Sequence, residues 1–133
     1  MADTRPLIAI IDDEQSVRVA LHRLCSAYGM STRTFSSAEE LLASLDDRRP
    51  DCLVLDAHMP GIGGLGAQTW LREHGIAIPA VVITGRDDHE MRARSIAGGA
   101  CAYLCKPIDA DILIGAIQRA IGDGHMTTET HSA

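Results

Sequence analysis

Four short apolar runs punctuate the chain: Leu7–Ile11, Cys52–Leu55, Ala80–Ile83 and Ala102–Cys105. Each is apolar at successive positions rather than alternating, the pattern of parallel strands covered by helices on both faces. A weaker run, Ser31–Phe35, fits an edge strand. Between the runs, apolar residues recur at three- and four-residue steps. From Ser16 to Tyr28 the stripe is Val17, Leu21, Leu24 and Cys25, and Gly29 stands where a left-handed helix terminator belongs.

A second helix follows Ser36 or Ser37, either of which can cap it, with Glu39 or Glu40 three positions on and Leu41, Leu42 and Leu45 facing inward. Arg48, Arg49 and Pro50 end it. Gly64 to His74 makes a third helix, closed by Gly75; Asp88 to Ala97 makes a fourth, broken by Gly98 and Gly99. Asp109 to Ile121 makes a fifth, carried by Ile112, Leu113, Ala116, Ile117 and Ile121. Strict alternation of strand and helix gives (βα)₅, a doubly wound parallel α/β sheet with helices on both faces. The stretch from Gly122 to Ala133 is polar and aperiodic and reads as a disordered tail, leaving one domain over residues 1–121.

With 133 residues, 46% hydrophobic and 23% charged, the chain can bury one core and is unlike a disordered protein. Its formal charge of −6 gives no attraction for polyanions, and its few aromatics offer no platform for stacking bases, so direct nucleic-acid binding is disfavoured. No run approaches the roughly 20 apolar residues of a membrane span, and nothing at the N-terminus reads as a signal peptide, so the expected location is the cytoplasm. Cys25, Cys52, Cys101 and Cys105 lack metal-knuckle spacing and read as buried free thiols. The six histidines are scattered and read mostly as surface residues.

The chemistry lies at strand ends. Open α/β sheets bind ligands beyond the carboxyl ends of their strands, near the point where strand order reverses. Asp12, Asp13 and Glu14 follow the first strand and Asp56 closes the third, neighbours in the order 2-1-3-4-5. Carboxylates crowded together repel unless a cation neutralises them, and an all-oxygen donor set suits Mg²⁺ rather than a soft metal. Thr84 and Lys106 close the fourth and fifth strands, adding one hydroxyl and one cation. This inventory suits phosphoryl transfer to Asp56 as nucleophile, with Asp12 and Asp13 holding the metal and Thr84 and Lys106 meeting the phosphoryl oxygens. Gly61-Ile62-Gly63-Gly64-Leu65-Gly66 formally matches a dinucleotide-binding fingerprint but does not start directly after a strand, and reads as a flexible loop.

The pieces Ile11-Asp12-Asp13-Glu14, Leu55-Asp56-Ala57-His58-Met59-Pro60-Gly61, Ile83-Thr84-Gly85 and Tyr103-Leu104-Cys105-Lys106-Pro107, in that order and at those separations, resemble the receiver domain of two-component response regulators. The resemblance runs from about Leu7 to Ile121. Thr34 to Leu42, together with Ile83-Thr84-Gly85, is most similar to FixJ-type receivers.

The resemblance implies a flavodoxin-like fold and transfer of a phosphoryl group from a histidine kinase to Asp56. It implies Mg²⁺ on Asp12, Asp13, Asp56 and the carbonyl of His58, a switch pair of Thr84 and Tyr103, and a cis peptide at Lys106-Pro107. It also implies that the side chains of His58 and Arg86 influence phosphoryl lifetime. Such a chain is a phosphoacceptor rather than a turnover enzyme, read out by a downstream protein or by a C-terminal output domain. Dimerisation of the phosphorylated form is left open. Two alternatives share the same residues: an aspartyl-phosphate hydrolase, with His58 where its acid/base carboxylate belongs, and a receiver-like binding module that is never phosphorylated.

Overall fold

The computed structural model describes residues 4–86 and 88–126, the last four by their backbone alone. Five strands and five helices alternate: β1 (Leu7–Ile11), α1 (Gln15–Ala27), β2 (Ser31–Phe35), α2 (Ala38–Ala43), β3 (Cys52–Asp56), α3 (Gly63–Glu73), β4 (Ala80–Thr84), α4 (His89–Ala97), β5 (Ala102–Cys105) and α5 (Ala110–Met126). The strands form one parallel sheet in the order β2-β1-β3-β4-β5, as the alternation predicts.

Side chains alternate across the sheet and so divide the core. Ile8, Ile10, Val54, Val81 and Ile83 meet α1 and α5 through Leu21, Cys25, Leu113 and Ile117. Ala9, Ile11, Leu53 and Leu55 meet α2 and α3 through Leu41, Ala67 and Leu71. Most of these side chains are fully removed from water, so truncating one, Ile10→Ala for example, costs about 2–5 kcal/mol. Every residue of the central strands β1, β3 and β4 is buried, which is why those runs are unbroken by polar residues in the sequence.

Three helix ends close the same way. After α1, the N–H of Gly29 donates to Ser26 and that of Met30 to Cys25; after α3, Gly75 and Ile76 donate to Arg72 and Leu71; after α4, Gly99 and Ala100 donate to Ile96 and Ser95. Each of the three glycines has a positive φ, the left-handed conformation this motif demands. At the start of α2, Ser37 accepts from the Glu40 N–H at 3.1 Å while Glu40 accepts from Ser36 at 2.7 Å, so the capping residues are Ser37 and Glu40.

Three expectations need correction. Helix α5 continues to Met126, five residues past Ile121, so residues 122–126 are helical; the remainder of the expected tail, 127–133, lies outside the described residues. Residues Gly63 to Gly66 are the first turn of α3, in line with the helix expected from Gly64 and against the loop reading of that glycine run. Cys25 and Cys52 are buried, but Cys101 and Cys105 are exposed, because they flank and end the edge strand β5. Among the described residues no helix is long and apolar enough to cross a membrane.

Candidate functional site

Register sets the site. Pairing of Ile11 with Leu55 makes Asp12 and Asp56 neighbours on the carboxyl rim, each following the last interior residue of a buried strand. Asp12 is 0% and Asp56 3% exposed, while Asp13 faces solvent. One carboxylate oxygen from each of Asp12, Asp13 and Asp56 lies within 4.8 Å of the other two. The three acids placed together by sequence reading therefore do converge.

Lys106, from the loop after β5, closes over them. Its Nζ is 2.8 Å from Asp12 Oδ2, 3.3 Å from Glu14 Oε1 and 3.5 Å from Asp56 Oδ2. The contact with Asp12 is the shortest of the three, and it reaches a carboxylate oxygen that is itself shut off from water. Burial alone would pull the lysine pKa down, but the hydrogen bonds and charges of Asp12, Asp56 and Glu14 outweigh it and hold the ammonium above its usual range. Burial pushes the Asp56 carboxyl up to about 6; the His58 N–H, donating to Asp56 Oδ1 at 3.0 Å, and the charge of Lys106 pull it back, while Asp12 and Asp13 push it further. The buried carboxylates of Asp12 and Asp56, with that of the exposed Asp13, make an all-oxygen donor set that fits a hard divalent cation.

The other residues singled out by sequence reading are placed as follows. Thr84 is fully buried at the end of β4, and its hydroxyl closes a local turn, accepting from the Arg86 N–H at 3.1 Å and donating to the Arg86 carbonyl at 2.9 Å. The Lys106 N–H donates to the Thr84 carbonyl at 2.7 Å, which ties the fourth and fifth strand ends together. Tyr103 points inward, 8% exposed, against Ala57 and Val82, with the Arg92 guanidinium 5.6 Å from its ring centre. Lys106-Pro107 is cis. The His58 ring is half-buried, and Arg86 is exposed.

Two residues went unnoticed in the sequence. Arg18, one turn into α1, donates from Nη1 to the carbonyl of Asp12 at 2.7 Å and so fixes the acidic loop. Gly64 lies so close beneath Asp56 that a Cβ there would sit 2.6 Å from the Asp56 carbonyl oxygen. Its place at the start of the helix that follows the site-bearing strand β3 is the signal that could have revealed it.

Residues 8–118 match the family model of the response regulator receiver domain. The chain belongs to this family. Over 121 residues it is 37% identical to the response regulator protein TodT of Pseudomonas putida, covering 91% of this chain and 53% of TodT. It is also 37% identical to nodulation protein W of Bradyrhizobium diazoefficiens, over 90% of this chain and 52% of that protein. The receiver domain thus spans about half the length of these curated relatives. Among solved structures, that of FixJ-N superposes with a TM-score of 0.82 at 35% identity, covering 91% of this chain and 95% of that one. The match establishes a FixJ-type receiver with the flavodoxin-like topology, and the hydrolase alternative is not favoured.

Proposed function

We propose that this receiver accepts a phosphoryl group on Asp56 from the phosphohistidine of a histidine kinase in the cytoplasm, and that this changes a protein-interaction surface. The observation that carries the reading is the convergence of Asp12, Asp13 and Asp56 within 4.8 Å beneath the Lys106 ammonium. Asp12, Asp13 and Asp56, with the carbonyl of His58, would hold Mg²⁺. When bound, the ion offsets negative charge on the phosphoryl oxygens and on the acids themselves.

The chain's own groups account for the rest. An Asp56 carboxylate oxygen, ionised at neutral pH for its pKa of about 6, attacks phosphorus. The new O–P bond forms as the P–N bond to the donor imidazole breaks, and the electron pair stays on that nitrogen. Lys106 Nζ, 3.5 Å from Asp56, faces the charge carried by the transferred oxygens. Thr84 would exchange its bonds to Arg86 for one to a phosphoryl oxygen, and Tyr103, already inward, would stabilise that state. His58 and Arg86, each two residues past a site residue, would govern water access and hence phosphoryl lifetime. The altered face would be read by a downstream protein or a C-terminal output domain.

Incubation with acetyl phosphate and Mg²⁺ tests this directly by intact mass. One added phosphoryl group is expected, absent from Asp56→Asn and absent with EDTA. An unchanged mass would leave a receiver that works through protein contacts alone.

A further inference from the structure

The paired glutamates at the start of α2 divide their work. Glu40 stays local: its Oε1 accepts from the Ser36 N–H at 2.7 Å and from the Ser36 hydroxyl at 2.8 Å, completing the cap of its own helix. Glu39, one position earlier and exposed, turns the other way. Its Oε2 accepts from the Ile62 N–H at 3.3 Å, 23 residues on, across the gap between α2 and α3. Ala38 and Leu41, on either side of this pair, are fully buried, so the base from which Glu39 reaches is fixed by the core.

Helix α3 needs that acceptor. Ile62 is its N-cap and offers no side-chain oxygen, and the residue three places on, where a capping box would have a glutamate reaching back to the N-cap N–H, is Leu65. Glu39 takes that place from another helix and sets a negative charge at the positive end of the α3 dipole. Gly61 makes the approach possible: a Cβ there would stand 2.4 Å from Glu39 Oε2 and 3.0 Å from Oε1. A carboxylate that close to the chain restrains Gly61 as well as Ile62.

Ile62 ends the segment that leaves β3 with the acceptor aspartate. The near end of this segment is held at Ala57, whose N–H donates to the Ile83 carbonyl at 2.8 Å, and at His58, whose N–H donates to Asp56 at 3.0 Å. The far end is held by Glu39, and Pro60 between has no N–H to contribute. We propose that Glu39 is a positioning residue for the acceptor loop 57–62: by pinning Ile62 it sets the path of the backbone between the two anchors, and with it the direction of the His58 carbonyl. This rests on the reading of that carbonyl as a Mg²⁺ ligand. Glu39 is not one of the acids gathered at the rim and acts only through the loop.

Calorimetric titration of Mg²⁺ into the full chain, with Glu39→Ala and Glu39→Gln beside wild type, tests it. Both variants lose the charge, and only Gln keeps an oxygen for the Ile62 N–H. Glu39→Ala should weaken Mg²⁺ binding about tenfold, the scale on which outer-shell partners act on a metal site, whereas Glu39→Gln should stay within about twofold of wild type. In metal-free protein, hydrogen exchange at the Ile62 amide should quicken about fivefold in Glu39→Ala, the loss of roughly one hydrogen bond, and should not change in Glu39→Gln. A glutamate that merely stabilised α2 would lower the urea midpoint in Glu39→Ala and leave the Mg²⁺ affinity of the folded protein alone. Wild-type affinity or unaltered Ile62 exchange in Glu39→Ala, or an equal loss of affinity in both variants, which would make the effect one of charge, would overturn the positioning role while leaving the Asp56 mass measurement untouched. A wild type that binds no Mg²⁺ would overturn it together with the metal reading.

Discussion

Replacing Asp56 by Asn in metal-free protein should make the fold more stable, not less. The carboxylate is buried, faces Asp12 and Asp13, and has its pKa raised from 3.8 to about 6. A folded-state pKa above the unfolded value means that the native state binds the extra proton. The associated stability is present below about pH 4 and is lost as pH rises through 6. A shift of roughly two units corresponds to about 3 kcal/mol of destabilisation above pH 7. Asn removes the charge and retains an oxygen to accept from the His58 N–H, now 3.0 Å from Asp56. It forgoes a contact with Lys106 at 3.5 Å, but Asp12 at 2.8 Å still pairs that lysine.

The net expectation is a gain of about 1–3 kcal/mol at pH 8 in EDTA, shrinking toward zero near pH 4. Urea unfolding followed by the fluorescence of Trp70, the sole tryptophan, gives both numbers across a pH series. Millimolar Mg²⁺ should close the gap by stabilising wild type alone. Equal stabilities at pH 8, or an advantage that persists undiminished at pH 4.5, would show that charge crowding at the rim is not what strains this site.

Further outcomes follow from the same geometry. Lys106→Met should raise the Asp56 pKa above about 6, because the cation 3.5 Å from it is lost; carboxyl-carbon NMR titration reads this, and a lowered pKa would contradict the arrangement. Gly64→Ala should cost about 2–3 kcal/mol, its methyl forced against the Asp56 carbonyl, whereas Gly29→Ala, with open space but a φ of 79°, should cost about 1 kcal/mol; the reverse ranking in urea melts would refute the close approach. In native protein a thiol reagent at pH 8 should titrate Cys101 and Cys105 promptly and spare Cys25 and Cys52, whose thiols burial pushes up to about 11 and about 12; rapid modification of all four would contradict that burial.

The strands and the three acids were legible because each depends on local pattern. Unbroken apolar runs exist only where both faces of a sheet are covered, and Asp12 and Asp56 are the first acids after two such runs. What escaped depends on how nearby stretches of chain fold back on one another, which residue type alone does not announce. The glycines from Gly63 to Gly66 look like a loop by helix propensity, yet Gly64 is there because a strand-end carbonyl passes within reach of any larger residue. Arg18 resembles any polar residue on a helix until the loop before it folds back to offer the Asp12 carbonyl. Thr84 was correctly placed at the rim, but its present engagement with Arg86 could not be read from residue type.

The lysine that neutralises the first strand's aspartate is carried by the loop after the last strand, while the sheet order keeps β3 and β4 between those two ends. A polypeptide emerging from the ribosome would therefore display bare, mutually repelling acids until its final βα unit had docked. Charge balance at the rim of the first strand therefore waits on the docking of the fifth.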